Sequence, residues 1–119
     1  MILGVGTDIV QLERIARAMK NPRFVERVFT IQERENIIKL CEERQTERAG
    51  GLFAAKEAVA KAFGTGFRHF GFSDIEILPD ANGRPEVFLH ANAVRNGRIH
   101  LSIAHDAGVA VAFAVWEET

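Results

Sequence analysis

The hydrophobic and polar positions follow different periods in the two halves of the chain. In the first half apolar residues recur every three or four positions, as in LERIARAM, where Leu12, Ile15 and Met19 fall on one side of a helix. In the second half they alternate, as in SDIEIL, where Ile75 and Ile77 point to the same side of a strand. The two periods predict an α+β fold, with a strand and helices followed by antiparallel strands.

The amino-terminal segment predicts a strand that leads into a helix. Residues 2–10 are β-branched and punctuated by glycine, and Asp8 lies near the junction with the helical pattern. Asn21 and Pro22 then end the first helix, and the FVERVF segment after them predicts at most a short one.

A longer helical region is predicted in the middle of the chain. Thr30 followed three residues later by Glu33 is a capping-box pattern, which indicates that a helix begins near Ile31. We expect this helical region to break at the two glycines of residues 50–51 and then to continue to Phe63.

Two hairpins are predicted in the second half. SDIEIL and EVFLH flank an Asn-Gly turn signal, and RIHLSIAH and VAVAFAVW flank the turn DAG. One face of the last strand carries only Ala110, Ala112 and Ala114. Because an alanine face allows close approach, the alanine-rich helix of residues 54–62 is its natural partner. The pattern therefore predicts an antiparallel sheet packed against a long helix.

The segment LFAAKEAVAKAFGTG, residues 52–66, places three charges in a largely apolar helix. Leu52 and Val59 belong to its apolar stripe, whereas Glu57 and Lys61 share another stripe at i, i+4 spacing. The spacing alone is also typical of a surface pair that contributes about 0.2–0.5 kcal/mol. Lys56 falls on neither stripe, and the sequence assigns it no role beyond a structural or solvating one.

The composition is that of one globular domain spanning residues 1–119. The chain is 47% hydrophobic and 26% charged with a net charge of −1, which predicts no nucleic-acid partner. Its single cysteine, Cys41, cannot form an internal disulfide. No run approaches the roughly 20 apolar residues of a membrane span, and the first residues do not resemble a signal peptide. We expect a cytoplasmic protein without a membrane partner.

Four segments in order resemble the small bacterial holo-acyl-carrier-protein synthases, which are 4′-phosphopantetheinyl transferases: GVGTDIVQLERI, GLFAAKEAVAKAFGTGF, FSDIEIL with NGRP, and HLSIAHD. The resemblance covers essentially the whole chain. It implies Mg²⁺-dependent transfer of the 4′-phosphopantetheine arm of coenzyme A to a serine of apo acyl carrier protein. It also implies a cytoplasmic homotrimer with active sites at subunit interfaces, acting in fatty-acid and lipid biosynthesis or on polyketide carriers.

The resemblance assigns catalytic roles to three residues. Asp8 and Glu57 match the two metal carboxylates of the family, and Lys61 matches its phosphate-binding lysine. This assignment agrees with physical need, because phosphoryl transfer relies on positioning and on stabilising phosphate charge. Mg²⁺ is usually held by one or two carboxylates, with substrate phosphates and water completing its coordination.

The resemblance also implies contacts with coenzyme A. His105 matches the histidine near the 3′-phosphate, and Pro85 matches a residue beside the adenine. Gly64 and Gly66 could let the backbone approach the pyrophosphate, although helix capping is the simpler role for Gly64.

One position departs from the family pattern. The family often has a phosphate-binding arginine where this chain has Leu52, so we expect Arg48, Arg44 or a neighbouring subunit to substitute for it. The departure leaves open a non-catalytic coenzyme A or nucleotide-binding module, and a purely structural trimer. The SIAHD segment does not indicate a Ser-His-Asp hydrolase, because Ser102 and His105 leave opposite faces of a strand.

A local excess of basic residues suggests a protein partner. Between residues 13 and 27 arginine and lysine outnumber the acidic residues, although the whole chain is nearly neutral. Such a run is often only a solvated helix face. Because acyl carrier proteins are acidic, we expect Arg14 and Arg23, with Met19 as an apolar contact, to help bind the carrier.

Overall fold

Five strands and four helices make up the chain, and the computed structural model describes residues 1–119. In chain order they are β1 (Ile2–Gln11), α1 (Leu12–Ala18), α2 (Pro22–Val28), α3 (Ile31–Ile38), α4 (Glu42–Ala62), β2 (Ile75–Pro79), β3 (Pro85–Leu89), β4 (Arg98–Asp106) and β5 (Val109–Glu117). Single 3-10 turns occur at Phe72–Asp74 and Ala91–Ala93. No helix has both the length and the apolar character needed to cross a membrane.

The strands form two antiparallel sheets. One has the order β1-β5-β4, and the other is the hairpin of β2 and β3. In the larger sheet Asp8 of β1 pairs with Ala112 of β5, which in turn pairs with Ile103 of β4. The predicted α+β fold, with antiparallel strands packed on a long helix, is confirmed.

The inner face of the larger sheet packs closely against α4. Ala110, Ala112 and Ala114 of β5 are fully buried, as the alternation in the sequence predicts. On the neighbouring strand a Cβ at Gly4 would lie 1.9 Å from the carbonyl oxygen of Ala62, and one at Gly6 would lie 2.0 Å from that of Ala58. Strand β1 therefore lies directly on the helix backbone, and its next inward residue is Asp8.

The predicted helix break at residues 50–51 is wrong. Helix α4 begins after the extended residue Cys41 and runs without interruption through both glycines. A Cβ at Gly50 would lie 2.5 Å from Leu12 Cδ2, and one at Gly51 would lie 2.9 Å from Ile103 Cγ2. The two glycines thus allow neighbouring elements to pack closely on an uninterrupted helix.

Glu57 and Lys61 lie outside the core, as their separate stripe predicts, and Lys56, which belongs to neither stripe, has a structural role. The Lys56 side chain is fully buried, and its Nζ lies 2.6 Å from Glu33 Oε1. Glu33 also completes the predicted capping box with Thr30. A buried partner on another helix is what allows this lysine to lie in the core.

The outer face of the larger sheet is apolar and exposed. Val5 and Ile9 of β1 and Phe113 of β5 are 57%, 64% and 48% exposed. Val111 and Val115 lie on the same face of β5 and are half-buried. A contiguous apolar sheet face of this kind is typical of a surface that binds another protein chain.

Candidate active site

Helix α4 and strand β1 bring together the three residues predicted to be catalytic. Asp8 faces inward from β1, opposite the carboxyl-terminal half of α4, where Glu57 and Lys61 occupy successive turns. Lys61 Nζ lies 3.2 Å from Asp8 Oδ1 and donates a hydrogen bond of 3.0 Å to the carbonyl oxygen of Thr7. The lysine is thus held beside the aspartate by two contacts with β1.

This cluster contains two carboxyl groups but only one ammonium group. Partial burial raises the pKa of Glu57, the nearby Asp8 carboxylate raises it further, and the Lys61 ammonium opposes both effects. Two carboxylates facing one ammonium favour the addition of a cation. The chain contains no cluster of three or more histidine, cysteine, aspartate or glutamate side chains that could hold a metal ion. Two carboxylates that leave coordination positions for substrate and water fit Mg²⁺.

Two glycines end α4 directly after Lys61. Gly64 has a φ of +81° and Gly66 a φ of +61°, a backbone conformation that favours glycine. Their amides donate to the carbonyl oxygens of Lys61 and Ala60. The predicted capping by Gly64 is confirmed, and contact of these glycines with pyrophosphate stays a prediction.

A cleft of about 380 Å³ lies between the amino-terminal half of α4, the β2–β3 hairpin and the end of β4. It is lined by all the residues that the sequence predicts near the adenosine end of coenzyme A: Arg44, Arg48, Leu52, Pro85 and His105. Both arginines lie along the wall that includes Leu52. A lining that combines apolar side chains with the cationic Arg44 and Arg48 suits a phosphorylated nucleotide.

His105 has an acidic neighbour in this cleft that the sequence did not indicate. Its Nδ1 lies 3.7 Å from Glu47 Oε2. Nothing in the spacing of the sequence distinguishes Glu47 from the other charged residues of α4. Ser102 pairs with Phe113 on the outer face of the sheet, whereas His105 pairs with Ala110 on the inner face, so the two do not form a hydrolase pair.

The cleft and the carboxylate cluster lie on opposite faces of α4. Arg48 and Glu57 are nine residues apart, which is about two and a half helical turns and roughly 14 Å along the axis. Arg44 shares the face of Arg48, and Lys61 shares the face of Glu57. None of the three predicted catalytic residues lines the cleft. The two halves of the predicted site therefore do not converge within one chain.

The residues predicted to contact a carrier lie on the surface of α1 and at the start of α2: Arg14, Met19 and Arg23. Both arginines are exposed and the methionine is half-buried. Beside them, Phe24 of α2 stacks on Phe53 with ring centroids 5.9 Å apart. Phe53 lies one turn before Glu57 on the same face of α4. The i, i+4 spacing of Phe53 and Glu57 is the feature of the sequence that indicates their shared face.

The sequence model of the 4′-phosphopantetheinyl transferase superfamily matches residues 4–114 of the chain. The match spans nearly the whole fold, including Asp8, Glu57 and Lys61. The chain is therefore a phosphopantetheinyl transferase by class.

Individual relatives narrow the class. A holo-[acyl-carrier-protein] synthase of Exiguobacterium sp. is 48% identical over 119 residues, covering 99% of this chain and 94% of the relative. One of Listeria monocytogenes is 48% identical over 119 residues, covering 98% of this chain and 99% of the relative. The chain belongs to the holo-[acyl-carrier-protein] synthase family.

Solved structures agree with this membership. The crystal structure of a holo-(acyl-carrier-protein) synthase from Bacillus anthracis in complex with CoA (3′,5′-ADP) has a TM-score of 0.91 and 40% identity, covering 100% of this chain and 99% of that one. The Helicobacter pylori holo-[acyl-carrier-protein] synthase in complex with coenzyme A has a TM-score of 0.80 and 31% identity, covering 95% of this chain and 99% of that one. The fold is thus shared with enzymes solved with coenzyme A.

Proposed function

We propose that the protein transfers the 4′-phosphopantetheine arm of coenzyme A to a serine of apo acyl carrier protein. The serine oxygen bonds to the phosphorus that bears pantetheine and loses its proton to the surrounding water, and the bond from that phosphorus to the bridging oxygen breaks, releasing adenosine 3′,5′-bisphosphate. The observation that carries the proposal is the meeting of Asp8, Glu57 and Lys61 in a chain 48% identical to holo-[acyl-carrier-protein] synthases. A non-catalytic binding module would not need this cluster.

In this proposal Asp8 and Glu57 hold a Mg²⁺ ion. When bound, the ion would neutralise charge on the pyrophosphate oxygens. Lys61, held in place by Thr7 and Asp8, donates to a phosphate oxygen from the adjacent turn of α4. Its half-exposed ammonium is accessible to a substrate. Gly64 and Gly66 leave the end of α4 open, because a Cβ at either position would meet no atom within 4 Å.

The cleft takes the adenosine end of coenzyme A. Arg44 and Arg48 supply the positive charge that the family arginine would supply at the position of Leu52. His105 adds a donor for the 3′-phosphate, and Pro85 packs against the adenine. Arginine suits this role because its planar guanidinium binds phosphate bidentately.

The active protein is a cytoplasmic homotrimer, with the carboxylate cluster of one subunit facing the cleft of the next. The opposite placement of Arg48 and Glu57 on α4 supports this arrangement, because within one chain the helix itself separates the cleft from the carboxylate cluster. The exposed outer face of the larger sheet offers an apolar surface for the contact. The number of subunits rests on the family resemblance.

The carrier docks on α1 and the start of α2. Arg14 and Arg23 are exposed cations on the two helices that follow Asp8 along the chain, and Met19 provides an apolar contact. A basic surface attracts an acidic carrier and fixes its orientation, which increases the rate of productive encounters.

Incubation of the protein with coenzyme A, Mg²⁺ and an apo carrier tests the function directly. We expect mass spectrometry to show the carrier gaining one phosphopantetheine, and Asp8→Ala and Glu57→Ala to abolish that gain. Omission of Mg²⁺ with a chelator present should do the same. If coenzyme A binds but no carrier gains mass, the protein is a binding module; if either variant keeps its activity, the metal assignment is wrong.

A further inference from the structure

A buried ion pair between α3 and α4 takes no part in the proposed chemistry. Lys56 is 0% exposed and Glu33 is 1% exposed, and Lys56 Nζ lies 2.6 Å from Glu33 Oε1. Burial lowers the pKa of Lys56, and Glu33 opposes that shift. Apolar residues of similar volume are often at least as stabilising as a buried ion pair. Overall stability therefore does not account for charges at these two positions.

The pair joins four elements. The Glu33 carboxylate accepts hydrogen bonds from Lys56 Nζ of α4, from the amide of Thr30 at 2.8 Å and from the amide of Ile77 in β2 at 2.7 Å. Lys56 Nζ also donates to the carbonyl oxygen of Val28, the last residue of α2, at 2.5 Å. Lys56 thus links α4 to the end of α2 through its hydrogen bonds, whereas Glu33 links α3 to β2.

Two of the linked elements, α4 and α2, carry residues of the proposed site. Lys56 directly precedes Glu57 on α4. Helix α2, which ends at the acceptor Val28, bears Arg23 and Phe24, and Phe24 stacks on Phe53 one turn before Glu57. The position of α2 therefore sets the distance between the carrier-binding surface and the metal carboxylate.

We propose that Lys56 and Glu33 are positioning residues. They fix helix α2, which bears the carrier-binding residue Arg23, at a defined position relative to Glu57. The proposal rests on the function proposed above and goes beyond it by giving a role to a pair that touches neither substrate. Docking on α2 delivers the carrier serine to the carboxylate cluster only if the Val28 end of the helix is fixed. Lys56 supplies that fixed point through its two short hydrogen bonds.

The variant Lys56→Met tests the proposal, because it keeps an unbranched side chain of similar length and removes the ammonium. We expect kcat/KM for apo carrier to fall by about 10²-fold, the loss typical of a displacement of about 1 Å far from the reacting atoms. The dissociation constant of coenzyme A, measured by calorimetry, should stay within about twofold of wild type, because the cleft and the Glu33–Ile77 bond remain.

Two further variants separate positioning from loss of stability. Ile99→Ala, a core change on β4 away from both substrates, should lower Tm but leave kcat/KM for the carrier unchanged. The double variant Lys56→Met/Glu33→Gln removes both buried charges, so its Tm should exceed that of Lys56→Met. Its carrier kcat/KM should nevertheless stay low. This double variant also serves as the test protein if Lys56→Met does not fold.

Three results would overturn the positioning role: an unchanged carrier kcat/KM in Lys56→Met, an equal loss in Ile99→Ala, or recovery of activity together with Tm in the double variant. A wild-type protein that transfers nothing to any carrier would instead contradict the proposed function. The two failures are therefore distinguishable in one set of measurements.

Discussion

Glu57 is held in the folded protein under conditions that favour its protonated form. Its pKa is raised, first by partial burial and then by the Asp8 carboxylate. A carboxyl group whose folded pKa exceeds its unfolded value stabilises the fold fully below the unfolded pKa, and this contribution disappears as pH rises through the folded pKa. Ionisation of Glu57, which the proposed cation site requires, therefore costs the folded protein some stability.

We predict that Glu57→Gln raises the Tm of the metal-free protein at pH 7 by a few degrees while abolishing transfer. Glutamine has nearly the same shape but no charge to repel Asp8. Thermal unfolding with a chelator, from pH 7 down to pH 4, measures the difference, which should shrink as the wild-type carboxylate becomes protonated. A lower Tm for the variant at pH 7 would contradict this account of the site.

Protonation of Glu57 should also change the affinity of the protein for Mg²⁺. Because a protonated Glu57 cannot coordinate a cation, we expect Mg²⁺ binding to weaken on acidification at a pH above the ordinary glutamate pKa of about 4.3. Calorimetric titration of the wild-type protein at several pH values checks this prediction. Asp8→Asn, which removes one cause of the raised pKa, should shift the loss of the remaining affinity to lower pH.

The sequence could predict Glu57 and Lys61 as neighbours but not Lys56 as a buried residue. Helical spacing shows which side chains share a face, and the motif containing Asp8 adds their partner. Helical spacing does not show how many faces of a helix are covered by other elements. Here α3 and β2 cover a further side of α4, so Lys56 points into the core toward Glu33. Such an ion pair between distant segments has no local signature.

At the scale of elements, the residues of the proposed site lie on two faces of α4 separated by half a turn. Its amino-terminal half lines the cleft with Arg44 and Arg48, and its carboxyl-terminal half presents Glu57 and Lys61. The sequence placed the arginines one and two turns before Leu52. The predicted break at residues 50–51 obscured the continuity of the helix, because glycines that serve close packing look the same in a sequence as glycines that end a helix.

We predict that Arg48→Ala raises KM for coenzyme A by roughly 10- to 100-fold, as expected for loss of one hydrogen bond to a charged group. The effect should largely vanish when dephospho-coenzyme A replaces coenzyme A, because that substrate lacks the 3′-phosphate. Steady-state kinetics with the two substrates, on Arg44→Ala as well, locates the contact. Unchanged constants in both variants would show that neither arginine replaces the family residue at Leu52.

Helices α1 and α2 should govern recognition of the carrier alone. We predict that Arg14→Glu raises KM for the carrier by at least about tenfold and leaves KM for coenzyme A nearly unchanged, because an acidic carrier is then repelled. The difference should diminish at high salt. Lys39→Glu, an equal charge change at an exposed residue outside the basic stretch, is the matched control. Equal effects on both substrates would contradict the docking surface.

At the scale of the whole molecule, the larger sheet has a covered face and an uncovered one. Its alanine face is buried on α4, whereas Val5, Ile9 and Phe113 are exposed on the other side. The alternation in β5 predicts both faces from the sequence, but only the structure shows that no element of the same chain covers the second. Long-range pairing of β1 with β5 creates this surface, and local patterns do not encode such pairing.

We predict that Phe113→Glu disrupts the assembly and strongly lowers transfer activity, because a charge would then be buried in an apolar contact. Sedimentation equilibrium compares the mass of the variant with that of wild type. A variant that stays assembled and active would remove this sheet face from the interface.

Mixing two variants, each of which has little activity at low coenzyme A, tests whether the site lies between subunits. Asp8→Ala lacks the carboxylate half and Arg48→Ala weakens the cleft half. After an equimolar mixture is unfolded and refolded together, about a quarter of the sites in a closed ring of subunits should contain both intact halves. Recovery toward a quarter of wild-type activity at low coenzyme A supports a shared site, whereas a mixture no more active than the average of its components contradicts it.

The glycines of β1 affect how the protein can evolve. Any side chain at Gly4 or Gly6 would strike a backbone carbonyl of α4, so selection for folding alone preserves both residues. The same selection does not preserve the charges of Asp8 and Glu57, which the fold does not need. A descendant that had lost its activity would therefore still display the GVG of the first motif. In distant relatives these glycines therefore indicate shared architecture, and the residues proposed for the reaction, Asp8, Glu57 and Lys61, are the ones to inspect for retained activity.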